Sequence, residues 1–139
     1  MDRGLVWKEE SYRIIGACFA VYNELGSGFL EAVYQECLAL ELTELGMPFQ
    51  QNPRLRLTYR GKPLRQVYEP DFLFFGKILI EIKAVSRIAD EHRAQVINYL
   101  RASGLKLGFL VNFVSHPDLW YQRFVNQIPA SYSRDPRDS

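Results

Sequence analysis

From Lys8 to Leu25 the apolar side chains Ile14, Ile15, Cys18, Phe19, Val21, Tyr22 and Leu25 recur at helical spacing, which predicts a first helix over that span. Gly26 stops it. Ser27 stands where an N-cap is needed for a second helix running to about Leu45, which Gly46 and Pro48 end. The pattern then changes to alternation: Leu55, Leu57 and Tyr59 against Arg54, Arg56 and Thr58, as in a strand with one wet face. Arg60-Gly61-Lys62-Pro63 predicts a turn and Leu64 to Tyr68 a short return strand. Pro70, which has no amide hydrogen to donate, breaks the pairing.

A second hairpin is expected from Asp71 to Phe75 and from Ile78 to Lys83, turning about Gly76. Successive side chains of a strand point to opposite faces, so Glu81 and Lys83 share one face while Ile80 and Ile82 point the other way. A register centred on Gly76 puts Asp71 directly opposite Glu81. Asp90 to Ser103 reads as a third helix stopped by Gly104. Leu107 to Phe113 is an almost wholly apolar strand, the pattern of one covered on both sides. Helix, helix, strands, helix, strand in that order describes an α/β fold with a mixed central sheet flanked by helices. Residues 126–139 form a polar tail that is expected to be disordered.

Composition narrows the class. A chain of 139 residues is one domain by length, here residues 1–125, and can bury one real core. No apolar stretch approaches a membrane span, and the first residues lack the basic-then-apolar form of a signal peptide. Cys18 and Cys37 offer neither a disulfide framework nor a thiolate-rich metal site. A soluble, cytoplasmic protein is expected. The formal net charge of +1 gives no bulk attraction to nucleic acid, although Arg54, Arg56, Arg60, Lys62 and Arg65 crowd one hairpin.

Candidate chemistry centres on Asp71 and Glu81-Ile82-Lys83. Charges set in the apolar runs 72–75 and 78–80 are costly to bury unless paired or coordinated to a metal. An ion pair between Lys83 and a neighbouring acid is the plainer possibility, and an acid–x–Lys tripeptide alone is common. The context favours more: two carboxylates brought side by side repel unless a cation lies between them. An ammonium on the same face then suits metal-assisted phosphodiester cleavage. Gln95 and Tyr99, four apart on the third helix, share a face with His92 nearby and could hydrogen-bond a phosphate or the carboxylates; an ordinary polar helix face would look the same. Glu31 opens the second helix, where its dipole favours an acid, and Tyr34 shares its face. A third carboxylate brought near Asp71 and Glu81 would complete the oxygen shell that Mg²⁺ prefers. His116-Pro117-Asp118 reads as a turn. Trp7, Trp120, Tyr121 and Phe124 read as packing aromatics.

Gly28-Phe29-Leu30-Glu31-Ala32-Val33-Tyr34 resembles the G-x-x-E-x-x-Y signature of the GxxExxY proteins, a group within the PD-(D/E)XK nuclease superfamily. The likeness runs from about Tyr12 to Phe124, with Glu31, Asp71 after a proline, Glu81-x-Lys83, Gln95 and Tyr99 in order. The resemblance implies a restriction-endonuclease-like αβββαβ core with a metal site at one edge of the sheet. It implies that Asp71, Glu81 and the Ile82 carbonyl ligate Mg²⁺ or Mn²⁺, with Glu31 binding directly or through water. Lys83 would orient the attacking water, and Gln95 and Tyr99 would position the substrate strand. The expected activity is a metal-dependent nuclease acting on nucleic acid, DNA first. The alternative is a non-catalytic nucleic-acid-binding or protein-interaction module on the same fold. A chain this small calls for a second copy or a larger nuclease complex to enclose its substrate.

Overall fold

The computed structural model describes residues 7–126; the tail from residue 127 onward lies outside them. Helix α1 spans Lys8–Leu25 and α3 spans Asp90–Ser103, as their periodicity predicts. Between them, α2 covers Glu31–Glu44. Ser27 therefore does not cap it. The segment before Glu31 is held out of the helix: Gly28 has φ +114°, a backbone that side-chain-bearing residues rarely adopt. The Tyr34 hydroxyl also donates to the Gly26 carbonyl at 2.6 Å and accepts from the Phe29 amide at 3.2 Å. That ring is fully buried and stacks on Phe113, with centroids 4.6 Å apart.

The strands are β1 (Gln50–Gln51), β2 (Leu55–Tyr59), β3 (Lys62–Tyr68), β4 (Phe72–Phe74), β5 (Ile78–Lys83), β6 (Leu107–Asn112) and β7 (Trp120–Val125). Five of them form a mixed sheet in the order β1-β4-β5-β6-β7. β5 and β6 run parallel at its centre, joined through α3, and the other pairs are antiparallel. β1 and β7 were not foreseen. β1 is only two polar residues long, and Trp120, Tyr121 and Phe124 belong to an edge strand with one buried face.

The basic hairpin departs from expectation twice. Its turn is only Arg60-Gly61, with φ +52° and +77°, so β3 starts at Lys62 rather than Leu64. β2 and β3 also stand apart as a two-stranded ribbon. Leu57 and Tyr68 anchor that ribbon in a cluster with Val96 and Leu100 of α3, Leu79, Leu110 and Phe124.

Two apolar layers enclose the central strands. Ile78, Ile80 and Ile82 pack with α1 and α2, whereas Leu79 and Leu110 face α3. All six residues of β6 are buried, as its unbroken apolar run predicts. The face opposite Ile80 and Ile82 continues along β5 as Glu81 and Lys83, where the sheet's packing ends and the acids begin. No helix among the described residues is long and apolar enough to cross a membrane.

Candidate metal and phosphodiester site

β4 and β5 pair as Phe72↔Ile80, Leu73↔Leu79 and Phe74↔Ile78, a register centred on residue 76. Extended by one pair, that ladder sets Asp71 against Glu81. The ladder itself stops short, because Pro70 lacks a donor and the chain before it turns away. Asn52 fixes this end: its amide donates to the Asp71 carbonyl at 3.0 Å and its Nδ2 to the Pro70 carbonyl at 3.4 Å. Asp71 Oδ2 then takes the place of a missing strand partner by accepting the Ile82 amide at 2.7 Å. The N–H and C=O of one strand residue leave on the same side. The Ile82 carbonyl is therefore also aimed at the gap beside Asp71.

Asp71 and Glu81 touch, and the electrostatics show the cost. Burial raises the Glu81 pKa from 4.5 to about 8, assisted by the Asp71 charge, while hydrogen bonding to Tyr68 and the Lys83 ammonium act the other way. Asp71 is raised as well, chiefly by burial, against the lowering effects of the Ile82 amide, Glu81 and Lys83. Hydrogen bonding between the two carboxyls lowers the pKa of Asp71 and raises that of Glu81. Glu31, raised by burial and by Asp71, is lowered by Lys83. A single ammonium thus acts on all three acids.

The three acids do not form one symmetric cage. Glu31 Oε2 accepts from Gln35 Nε2 at 3.1 Å and senses the Asp71 and Lys83 charges. No group of three or more His, Cys, Asp or Glu among the described residues is arranged to hold a metal ion. Glu31 opens α2, near enough to Asp71 and Lys83 to feel both charges. The pair that does form suits a hard divalent cation: half-buried oxygen donors whose charge one ammonium only partly offsets, with a carbonyl beside them.

Gln95 and Tyr99 share a shallow groove of about 520 Å³ with Glu91, Ala94, Asn98 and Ala102. Neither is a direct partner of the acids. Tyr99 instead stacks flat on Tyr68, with centroids 3.8 Å apart and planes 2° from parallel, and the Tyr68 hydroxyl donates to Glu81 Oε2. Tyr68 is the residue that sequence reasoning missed. Its signal was its parity, since it is the last residue of the return strand on the face that packs α3. Asn112 was missed too: its amide brackets Val85, accepting from the Val85 amide at 3.1 Å and donating to the Val85 carbonyl at 2.9 Å. It sits opposite Lys83 in the β5–β6 register and clamps that strand's exit. His92 serves α3, its Nδ1 accepting the Ala89 amide at 2.9 Å. His116 lies in a bend before β7.

The model of the PD-(D/E)XK nuclease superfamily matches residues 8–124. None of the curated proteins matches the sequence. Among solved structures, the crystal structure of SSO0001 is similar with a TM-score of 0.50 at 16% identity, over 73% of this chain and 52% of that one. The chain thus spans about half the length of that protein, and the likeness concerns the fold alone.

Proposed function

This chain belongs to the PD-(D/E)XK nuclease superfamily, and from that premise we propose that it is a metal-dependent nuclease hydrolysing phosphodiester bonds in DNA. The observation that carries this is the Asp71–Glu81 contact under the influence of the Lys83 ammonium. A fold with no use for a cation gains nothing by pressing two half-buried carboxylates together. Asp71, Glu81 and the Ile82 carbonyl would hold Mg²⁺ or Mn²⁺, and Glu31 would act on it through water. Such an ion supplies Lewis-acid neutralisation of the phosphate and a lowered pKa for a water molecule.

The protein's own groups do the rest. Lys83 orients the attacking water and stabilises negative charge gathering on the phosphorane. Asp71 and Glu81 give up their shared proton when the cation is held. Tyr68 fixes the Glu81 carboxylate in one orientation, and Tyr99 acts through Tyr68 by stacking on it. Gln95, on the exposed groove beside Tyr99, contacts the substrate strand. The Gly28–Tyr34 segment supports membership of the GxxExxY group, because its glycine and tyrosine together set where Glu31 begins α2. We read residues 1–125 as one catalytic domain, working in the cytoplasm with a second copy or a larger complex to enclose its substrate.

The test is a cleavage panel on single-stranded, duplex and branched DNA and on RNA, with Mg²⁺ and Mn²⁺, beside the Lys83→Ala protein. Wild type should cut at least one DNA substrate. Lys83→Ala should lose at least about 100-fold in rate while keeping its fold and its Mn²⁺ affinity. A wild type inert on every substrate would overturn the reading and leave a non-catalytic module.

A further inference from the structure

Charge in this chain is segregated in a way the net value hides. Arg54, Arg56, Arg60, Lys62 and Arg65 fall within one hairpin that has no acid from Arg54 to Tyr68, so the rest of the chain is net acidic. Register pairs Leu55 with Tyr68 on the face packed against α3, which turns Arg54 and Arg56 outward with Val67 and its neighbour Arg65. Arg54, Arg56, Lys62 and Arg65 are all exposed. Glu69, at the base of the ribbon, lies 3.6 Å from Arg54. An exposed pair of that kind contributes little and is readily exchanged.

We propose that the outer face of the β2–β3 ribbon is the track along which the phosphate backbone of a DNA substrate lies as it approaches Asp71 and Glu81. The inference rests on the nuclease reading and adds where the substrate runs. Charge complementarity names the occupant: cations project from an exposed ribbon, on the opposite side from the one that packs α3. Continuity supplies the direction, because β3 ends at Tyr68, whose hydroxyl is on Glu81, three residues before Asp71. The seven residues of β3 extend about 20 Å at roughly 3.4 Å per residue, a little over half of one duplex turn. That reach allows about three phosphate contacts, for Arg54, Arg56 and Arg65; Lys62 pairs with Tyr59 on the other face of the ribbon.

The experiment measures anisotropy of fluorescein-labelled duplex and single-stranded DNA at several salt concentrations. It uses the Lys83→Ala background with Mn²⁺, so that substrate is not consumed. Adding R54E/R56E/R65E should weaken binding at least tenfold and reduce the slope of log K against log salt by about 2–3. A matched reversal, R13E/R101E/K106E, changes net charge equally and should leave the slope within about one unit of the parent. Unchanged affinity and slope in the hairpin variant, or equal loss in both variants, overturns the proposal. Wild-type cleavage with an unaffected hairpin variant removes the track alone. No binding and no cleavage by wild type removes the nuclease reading as well.

Discussion

Replacing Glu81 by Gln should stabilise the metal-free protein at alkaline pH while destroying its affinity for Mn²⁺. The folded-state pKa of Glu81 lies at about 8 against an ordinary 4.5, a raised value. Its contribution is therefore fully present below about pH 4.5 and is lost as pH rises through about 8. At about 1.4 kcal/mol per pKa unit, that shift makes the charged carboxylate cost up to about 5 kcal/mol at pH 9. Glutamine has the same shape and carries no charge. Its carbonyl still accepts from Tyr68 and its amide can donate to Asp71. The variant should melt up to about 15 °C above wild type at pH 9, and within about 2 °C of it at pH 5, where Glu81 is neutral. Calorimetric scans in EDTA at pH 5, 7 and 9 measure this. Saturating Mn²⁺ should then raise the melting temperature of wild type only. Equal melting temperatures at pH 9 would falsify the buried-pair geometry, since a solvated Glu81 has no such cost to lose.

Two further substitutions probe what holds the site. Tyr68→Phe keeps the stack on Tyr99 but removes a hydrogen bond that favours ionised Glu81, so it should weaken Mn²⁺ binding about fivefold, equivalent to about 1 kcal/mol. Titration calorimetry with an unchanged melting temperature supports the positioning role, and an unaltered affinity refutes it. Gly28→Ala meets no neighbouring atom within 4 Å, yet φ +114° strains any side-chain-bearing residue. It should cost about 1–3 kcal/mol in urea denaturation and shift the Glu31 environment. A neutral result would mean the linker before α2 adopts a different backbone.

Local pattern alone located α1 and α3 at their observed ends, the β4–β5 hairpin about residue 76 and the doubly covered β6. Each is specified by neighbours in sequence: an apolar period, a terminating glycine, a tight turn. The opposition of Asp71 and Glu81 was legible for the same reason, because a short hairpin fixes its own register. The start of α2 was not. Ser27 is a good cap in isolation, and the Tyr34 side chain competing for the linker lies more than a turn downstream.

What only the tertiary structure decided is how distant parts meet. β1 is too short and polar to carry a pattern, and β7 is a strand because β6 offers it an edge. The placement of Tyr68 under Tyr99 and on Glu81 joins three elements, as does the station of Glu31 across from Asp71. Sequence determined which residues could be charged, apolar or turning, since those are properties of each side chain and its near neighbours. It left open which carboxylates share a proton. That depends on burial and on through-space distance, which exist only once the layers have packed.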